Sequence, residues 1–166
     1  LCPVLVGRDD ELDELREALD AAVTAGRGSS LFLVGEAGVG KTRLAREAIA
    51  AARELGCSVL HGRAAQAHAV VAFRPLTEAL FSYFRDEAPP DLPELEPFRP
   101  MLARLVPEWR RAGTAPPDDS IVVLAEAVLR LLRVVGQPHG CLLFLDDLHW
   151  ADAETLAILE YLAQNI

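Results

Sequence analysis

Lysine is all but missing from this sequence. Sixteen residues are Lys or Arg, and only Lys41 is not an arginine. An ammonium and a planar guanidinium are different tools, so a lone Lys points to a site that demands one. Base of either kind is scarce: twenty-five acids leave a formal charge of -9. That balance weighs against nucleic acid as a partner of this segment, because phosphate backbones need clustered Lys and Arg. The charges are mostly interspersed, as on a solvated surface. Aromatics make up 6% of the chain, so Ala, Leu and Val must fill the core. The cysteines, Cys2, Cys57 and Cys141, are far apart and show no paired spacing, which weighs against a disulfide framework or a zinc site. Cys57 and Cys141 fall in apolar runs and read as small buried hydrophobes. No apolar run approaches the roughly 20 residues of a membrane span. No charged-then-apolar leader opens the chain. A cytoplasmic protein is the expectation and, with Leu1 in place of Met, so is a piece or processed form of something longer.

What is present is enough for one domain of 166 residues with a real core. Leu12, Leu15, Leu19 and Val23 recur at helical spacing, and acids crowd the first turn, so 9–25 is expected to be a helix. Leu31 to Val34 is a short apolar run between turn residues, the pattern of a buried parallel strand. A glycine-rich loop, 35–40, follows, then a helix over 41–55 and a second strand over 57–60. Strand, loop, helix, strand make one βαβ unit, which implies a parallel sheet and an α/β fold. Residues 61–119 form an irregular, Pro-rich insertion. Within it a helix is expected over 76–85 after Pro75, and a short one over 101–110. Pro89, Pro90, Pro93, Pro97 and Pro100 predict a surface excursion rather than a core element. Ser120 or Asp119 can cap a helix over 121–135. The most apolar strand, 141–145, ends in Asp146-Asp147, and Asp152 can cap a last helix over 153–165.

Gly35-Glu36-Ala37-Gly38-Val39-Gly40-Lys41-Thr42 fits the P-loop, or Walker A, pattern. Gly35, Gly38 and Gly40 permit dihedrals that aim successive backbone N–H groups at one point. The helix behind adds the positive end of its dipole. In this pattern Lys41 spans the β- and γ-phosphates of a nucleoside triphosphate, and the Thr42 hydroxyl ligates Mg²⁺. Dinucleotide binding fails, because Arg43 stands where a third glycine would be needed. GTP is disfavoured, since the only Lys is already used and Asp146 is not followed three residues on by Gly. Mg-ATP is the expected ligand.

The run Leu142-Leu143-Phe144-Leu145-Asp146-Asp147 is the second element. A buried strand that delivers a carboxylate at its C-terminal end matches Walker B, with Asp146 on Mg²⁺ through water. Asp147 then stands where a carboxylate could orient or deprotonate the attacking water.

Val6-Gly7-Arg8, the GEAGVGKT loop followed by Arg43-Leu44-Ala45, and Leu145-Asp146-Asp147-Leu148-His149-Trp150-Ala151-Asp152 together resemble the AAA-type ATPase module of large bacterial LuxR-type regulators, which are STAND-class signalling ATPases. The resemblance covers nearly the whole chain. It implies a P-loop NTPase fold, a three-layer αβα sandwich with a mostly parallel sheet. It also implies that Val6, Gly7 and Arg8 pack on adenine and ribose, that Arg43 belongs to the nucleotide-binding set, and that Asp147 polarises water while Lys41 supports catalysis. His149 and Trp150 fit the pattern without an assigned role. The family's phosphate-sensing strand lies between the P-loop strand and the Asp146 strand, and would follow residue 166. On that pattern the sheet stops after the Walker B strand and its helix, and residues 1–166 are one incomplete ATPase domain.

The leading expectation is an ATP-binding regulatory module, a slow ATPase switch inside a larger signalling or transcriptional regulator. Its partners would be ATP or ADP, downstream domains of the same polypeptide, and other copies in nucleotide-dependent self-association. DNA would be reached only through a domain outside this chain, and no membrane is involved. A non-hydrolysing nucleotide-binding interaction module is the main alternative. A small-molecule P-loop kinase is weaker, because no lid-like Arg cluster is evident. ABC transport is weaker still, as no Ser-Gly-Gly signature helix precedes Asp146.

Overall fold

Leu19 and its helical neighbours draw residues 9–25 onto the protein as helix α1 (Asp9–Ala25), with Asp9, Asp10 and Glu11 in its first turn. The structure, a computed structural model, describes residues 8–36, 38–66, 71–85, 90, 92–110 and 119–166. Helix α2 (Lys41–Glu54) starts directly at Gly40 and buries Leu44, Ala45, Ala48 and Ala52. Strand β1 (Ser58–Arg63) follows, then helix α3 (Arg74–Phe84) with Pro75 in its first turn. A one-turn helix α4 (Arg99–Leu102) lies between 3₁₀ turns at Glu96–Phe98 and Pro107–Trp109. Helix α5 (Ile121–Val135), strand β2 (Cys141–Asp146) and helix α6 (Ala153–Asn165) complete the described elements.

Strand β1 pairs with β2 in parallel, with Ser58 opposite Cys141 and Arg63 opposite Asp146. Alternate residues of each strand face opposite ways, and two cores result. Cys57, Val59 and Leu142 meet Leu19 of α1 and Ala51, Ala52 and Leu55 at the end of α2. Leu60, Cys141, Leu143 and Leu145 meet α3, α5 and α6 on the other face. The arrangement is the expected three-layer αβα sandwich around a parallel sheet. Among the described residues, no helix is long and apolar enough to cross a membrane.

The caps follow sequence chemistry. The Ser120 hydroxyl accepts from the Val123 N–H at the start of α5, and Asp152 Oδ1 accepts from the Thr155 N–H at 2.9 Å at the start of α6. Both satisfy donors that a first helical turn leaves without partners.

Three expectations change. Residues 31–34 are not a strand: the described sheet has two strands, β1 and β2, and Phe32 is 70% and Val34 88% exposed. Apolar patterning specifies a strand only where a neighbour accepts its ladder bonds, and neither described strand pairs with this run. The second change is that β1 runs on to Arg63 instead of ending at Leu60. The third is in the Pro-rich region, where Leu95, Met101, Leu102, Leu105, Val106 and Trp109 are all core residues. Prolines there break long helices but suit first turns, so short helical turns carry the apolar side chains inward.

Candidate functional site

The geometry starts from the direction of α2. Its C-terminal end abuts the start of β1, where the Cys57 N–H donates to the Ala52 carbonyl at 2.9 Å. A helix of 14 residues is about 21 Å long, and a strand of six about 20 Å. Residues Ala51 and Ala52 near the C-terminal end of α2 meet Cys57, Val59 and Leu142 on one face of the sheet. Helix α2 packs against both strands.

The loop before α2 turns on Gly38 and Gly40, whose φ values are 84° and 94°. Gly40 also caps the helix, and its carbonyl accepts from the N–H groups of Arg43 and Leu44, both at 3.0 Å. The Lys41 ammonium folds back into the loop and donates to the carbonyls of Gly35 at 2.7 Å and Glu36 at 2.8 Å. An ammonium is thereby held at the mouth of a helix N-terminus, on two main-chain carbonyls of the loop. Thr42 is exposed beside it, and Arg43 is partly buried.

Arg8 reaches the same loop. One guanidinium nitrogen donates to the Val39 carbonyl at 3.0 Å, and the other pairs with Glu11 at 3.0 Å. Val6, Gly7 and Ala37 lie outside the described residues.

Asp146 ends β2, and its Oδ1 accepts from the Asp147 N–H at 2.9 Å. That bond helps hold Asp147 in the left-handed region, at φ 55° and ψ 36°, a conformation costing an ordinary residue roughly 1–2 kcal/mol. The Asp147 carboxylate is held from β1: Arg63 Nε at 2.8 Å and Nη2 at 2.6 Å both donate to its Oδ2. The Arg63 guanidinium is raised above its ordinary value chiefly by this hydrogen bond, then by the charge on Asp147. His149 and Trp150 follow in a 3₁₀ turn, their rings 4.9 Å apart, and both are exposed.

Arg63 escaped the sequence reading. His61-Gly62-Arg63 has the composition of a turn, yet it continues β1 because α3 crosses closely there: a Cβ at position 62 would collide with the Pro75 carbonyl. Asp152 was expected only as a cap. Its Oδ2 also takes the Thr155 hydroxyl at 2.6 Å and the Phe73 N–H at 3.1 Å, tying the segment before α3 to α6.

Cys2 lies outside the described residues, and Cys57 and Cys141 are structural. Burial pushes the Cys57 thiol up, and it raises Cys141 to about 11. Among the described residues no cluster of three or more His, Cys, Asp or Glu could hold a metal ion.

Neither the curated proteins nor the solved structures contain a match to this chain. A family model described as AAA ATPase domain matches residues 4–166, so that it takes in the loop at Lys41, the Asp146–Asp147 strand end and Arg8 alike, and the chain belongs to that family, as an AAA-type P-loop ATPase module.

Proposed function

We propose that this chain is the Mg-ATP-binding part of a regulatory ATPase switch within a larger bacterial signalling or transcriptional regulator of the LuxR-type, STAND class. The observation that carries the reading is the position of the only Lys: its ammonium sits in the glycine loop, on the carbonyls of Gly35 and Glu36, at the start of α2. In that place it is ready to exchange carbonyl oxygens for the more strongly charged oxygens of a β- and γ-phosphate. The motif run Asp-Asp-Leu-His-Trp-Ala-Asp supports the narrower class.

The residues suit Mg-ATP. Gly35 to Gly40 with Lys41 would take the phosphates, Arg43 would flank them, and Val6, Gly7 and Arg8 would adjoin adenine and ribose. Thr42 and Asp146 would hold the ion, whose other ligands would be phosphate oxygens and water. Bound there, Mg²⁺ would neutralise phosphate charge. Asp147 would orient the attacking water and accept its proton. Ordering of the loop by a γ-phosphate, and its relaxation after hydrolysis, is the means by which such a site signals.

Equilibrium dialysis with labelled ATP tests the reading. The parent is expected to retain nucleotide and Lys41→Ala to lose it. Equal retention by both would remove Lys41, and the proposed site, from the account. Turnover compared with Asp147→Asn then separates an ATPase from a module that only binds.

A further inference from the structure

This inference rests on reading the site as an ATP switch. We propose that Asp152 carries the state of that switch to α3 and the residues packed on it, by holding Phe73 in a left-handed conformation.

Among the described residues, two that are not glycine have positive φ: Asp147 at 55° and Phe73 at 60°. A bulky side chain rarely adopts this region, and such a residue persists only where its surroundings over-determine it. The two are joined. Asp147 opens a turn in which the Trp150 N–H donates to the Asp147 carbonyl at 2.9 Å and the Ala151 N–H to the Leu148 carbonyl at 3.0 Å. Next comes Asp152, whose Oδ2 accepts from the Phe73 N–H at 3.1 Å. The connection from β1 to α3 is bonded to the same stretch at its other end, where the Ala64 N–H donates to the Asp146 carbonyl at 3.0 Å.

Capping does not explain the bond to Phe73. The cap of α6 uses Oδ1, which accepts from the Thr155 N–H at 2.9 Å, and Asn or Ser serves as well in that position. Oδ2 takes the Thr155 hydroxyl at 2.6 Å in addition to Phe73. Thr155 is fully buried, so the carboxylate is held against α6 while it reaches across to α3.

Phe73 is placed to pass a shift on. Its carbonyl accepts from the Thr77 N–H at 2.9 Å in the first turn of α3. Its ring lies in the larger core, with the Arg104 guanidinium 5.3 Å from the ring centre. At the far end of α3 the Phe84 ring meets Trp109 edge-on, their centres 5.0 Å apart. Arg104 and Trp109 belong to one segment, which therefore touches α3 at its start and at its end. A γ-phosphate that displaces the Asp147 main chain moves the bonded turn, and Asp152 with it. Phe73 then loses the acceptor that holds its φ, and the start of α3 follows. Coupling of this kind is reciprocal, so the same bond bears on ATP affinity.

Hydrogen–deuterium exchange read by mass spectrometry, with and without Mg-ATP, tests the proposal on the parent, Asp152→Asn and Thr155→Val. Equilibrium dialysis with labelled ATP runs beside it. In the parent, Mg-ATP is expected to change exchange in residues 74–84 and 99–109 by about two- to tenfold, the scale of one hydrogen bond. Asp152→Asn keeps one oxygen for the cap and none for Phe73. It should bind ATP within about tenfold of the parent and lose the response in both segments. Thr155→Val removes only the hydroxyl bond and should respond as the parent does. A purely structural Asp152 would instead leave the response to ATP unchanged in Asp152→Asn, which would overturn the proposal and leave the ATP reading intact. A parent that retains ATP without a response in α3 would do the same. Should Asp152→Asn not fold, Asp152→Ser caps the helix with its single oxygen, and a full response there would overturn the proposal equally. If the parent does not retain ATP, the reading of the site fails and the coupling fails with it.

Discussion

Arg8 is joined to Val39 across 31 positions of sequence by a 3.0 Å hydrogen bond from its guanidinium to the loop carbonyl. The contact ties the residue before α1 to the loop before α2, two segments that pack side by side through their helices. Glu11 holds the rest of the guanidinium. Arg8→Ala should therefore loosen the loop rather than unfold the protein. An exposed hydrogen bond of this kind is worth about 0.5–1.5 kcal/mol, so ATP affinity should fall about two- to tenfold in a titration. The urea midpoint should barely move. Unchanged affinity would show that Arg8 neither orders the loop nor touches nucleotide.

Gly40 isolates a backbone effect. Its φ is 94°, and a Cβ there would meet nothing within 4 Å. Gly40→Ala has room but not the conformation, which should cost roughly 1–2 kcal/mol. Melting should drop by about 2–8 °C, and ATP binding should weaken together with it. A variant as stable and as competent as the parent would mean that the loop does not need its left-handed turn.

Gly62 is the opposite case, where space is the constraint. The Pro75 carbonyl occupies the place of its Cβ. Gly62→Ala should destabilise by about 1–3 kcal/mol through overpacking of α3 against β1, read as a lower denaturant midpoint. Arg63, the next residue, should shift with it. An unaltered midpoint would argue against the close crossing.

Those two glycines mark what the sequence could and could not say. Gly40 was legible because phosphate binding imposes a spacing, and spacing survives in a string of letters. The helices of residues 9–25, 121–135 and 153–165 were legible for a similar reason: local periodicity and the caps at Ser120 and Asp152 decide them. Gly62 was placed in the irregular insertion, past a strand ending at Leu60, because its reason lies in α3, which comes later in the chain. Arg63 was missed along with it, since nothing adjacent to it in sequence foretells Asp147 as its partner. The run at 31–34 failed differently. Its letters fit a strand, but ladder bonds need a neighbour, and apolar patterning does not name one.

Cys141 offers a test by pH. Burial, with a smaller contribution from Cys57, raises it from 9.0 to about 11. The unfolded chain thus gives up this proton first as pH rises. Stability from the neutral buried thiol is full below pH 9 and declines from there toward 11. Denaturant midpoints at pH 8 and pH 10 should differ by more in the parent than in Cys141→Ala. Equal differences would show that this thiol is not the group responsible.

On ATP binding the Lys41 ammonium is expected to leave the carbonyls of Gly35 and Glu36 for the phosphates. Because Lys41 is the only lysine in the sequence, protein labelled with ¹⁵N at lysine Nζ reports this one group. Titration with Mg-ATP is predicted to shift that single ammonium resonance and slow its hydrogen exchange, while adenosine at the same concentration leaves it in place. A resonance unmoved by saturating Mg-ATP would contradict the account at its root.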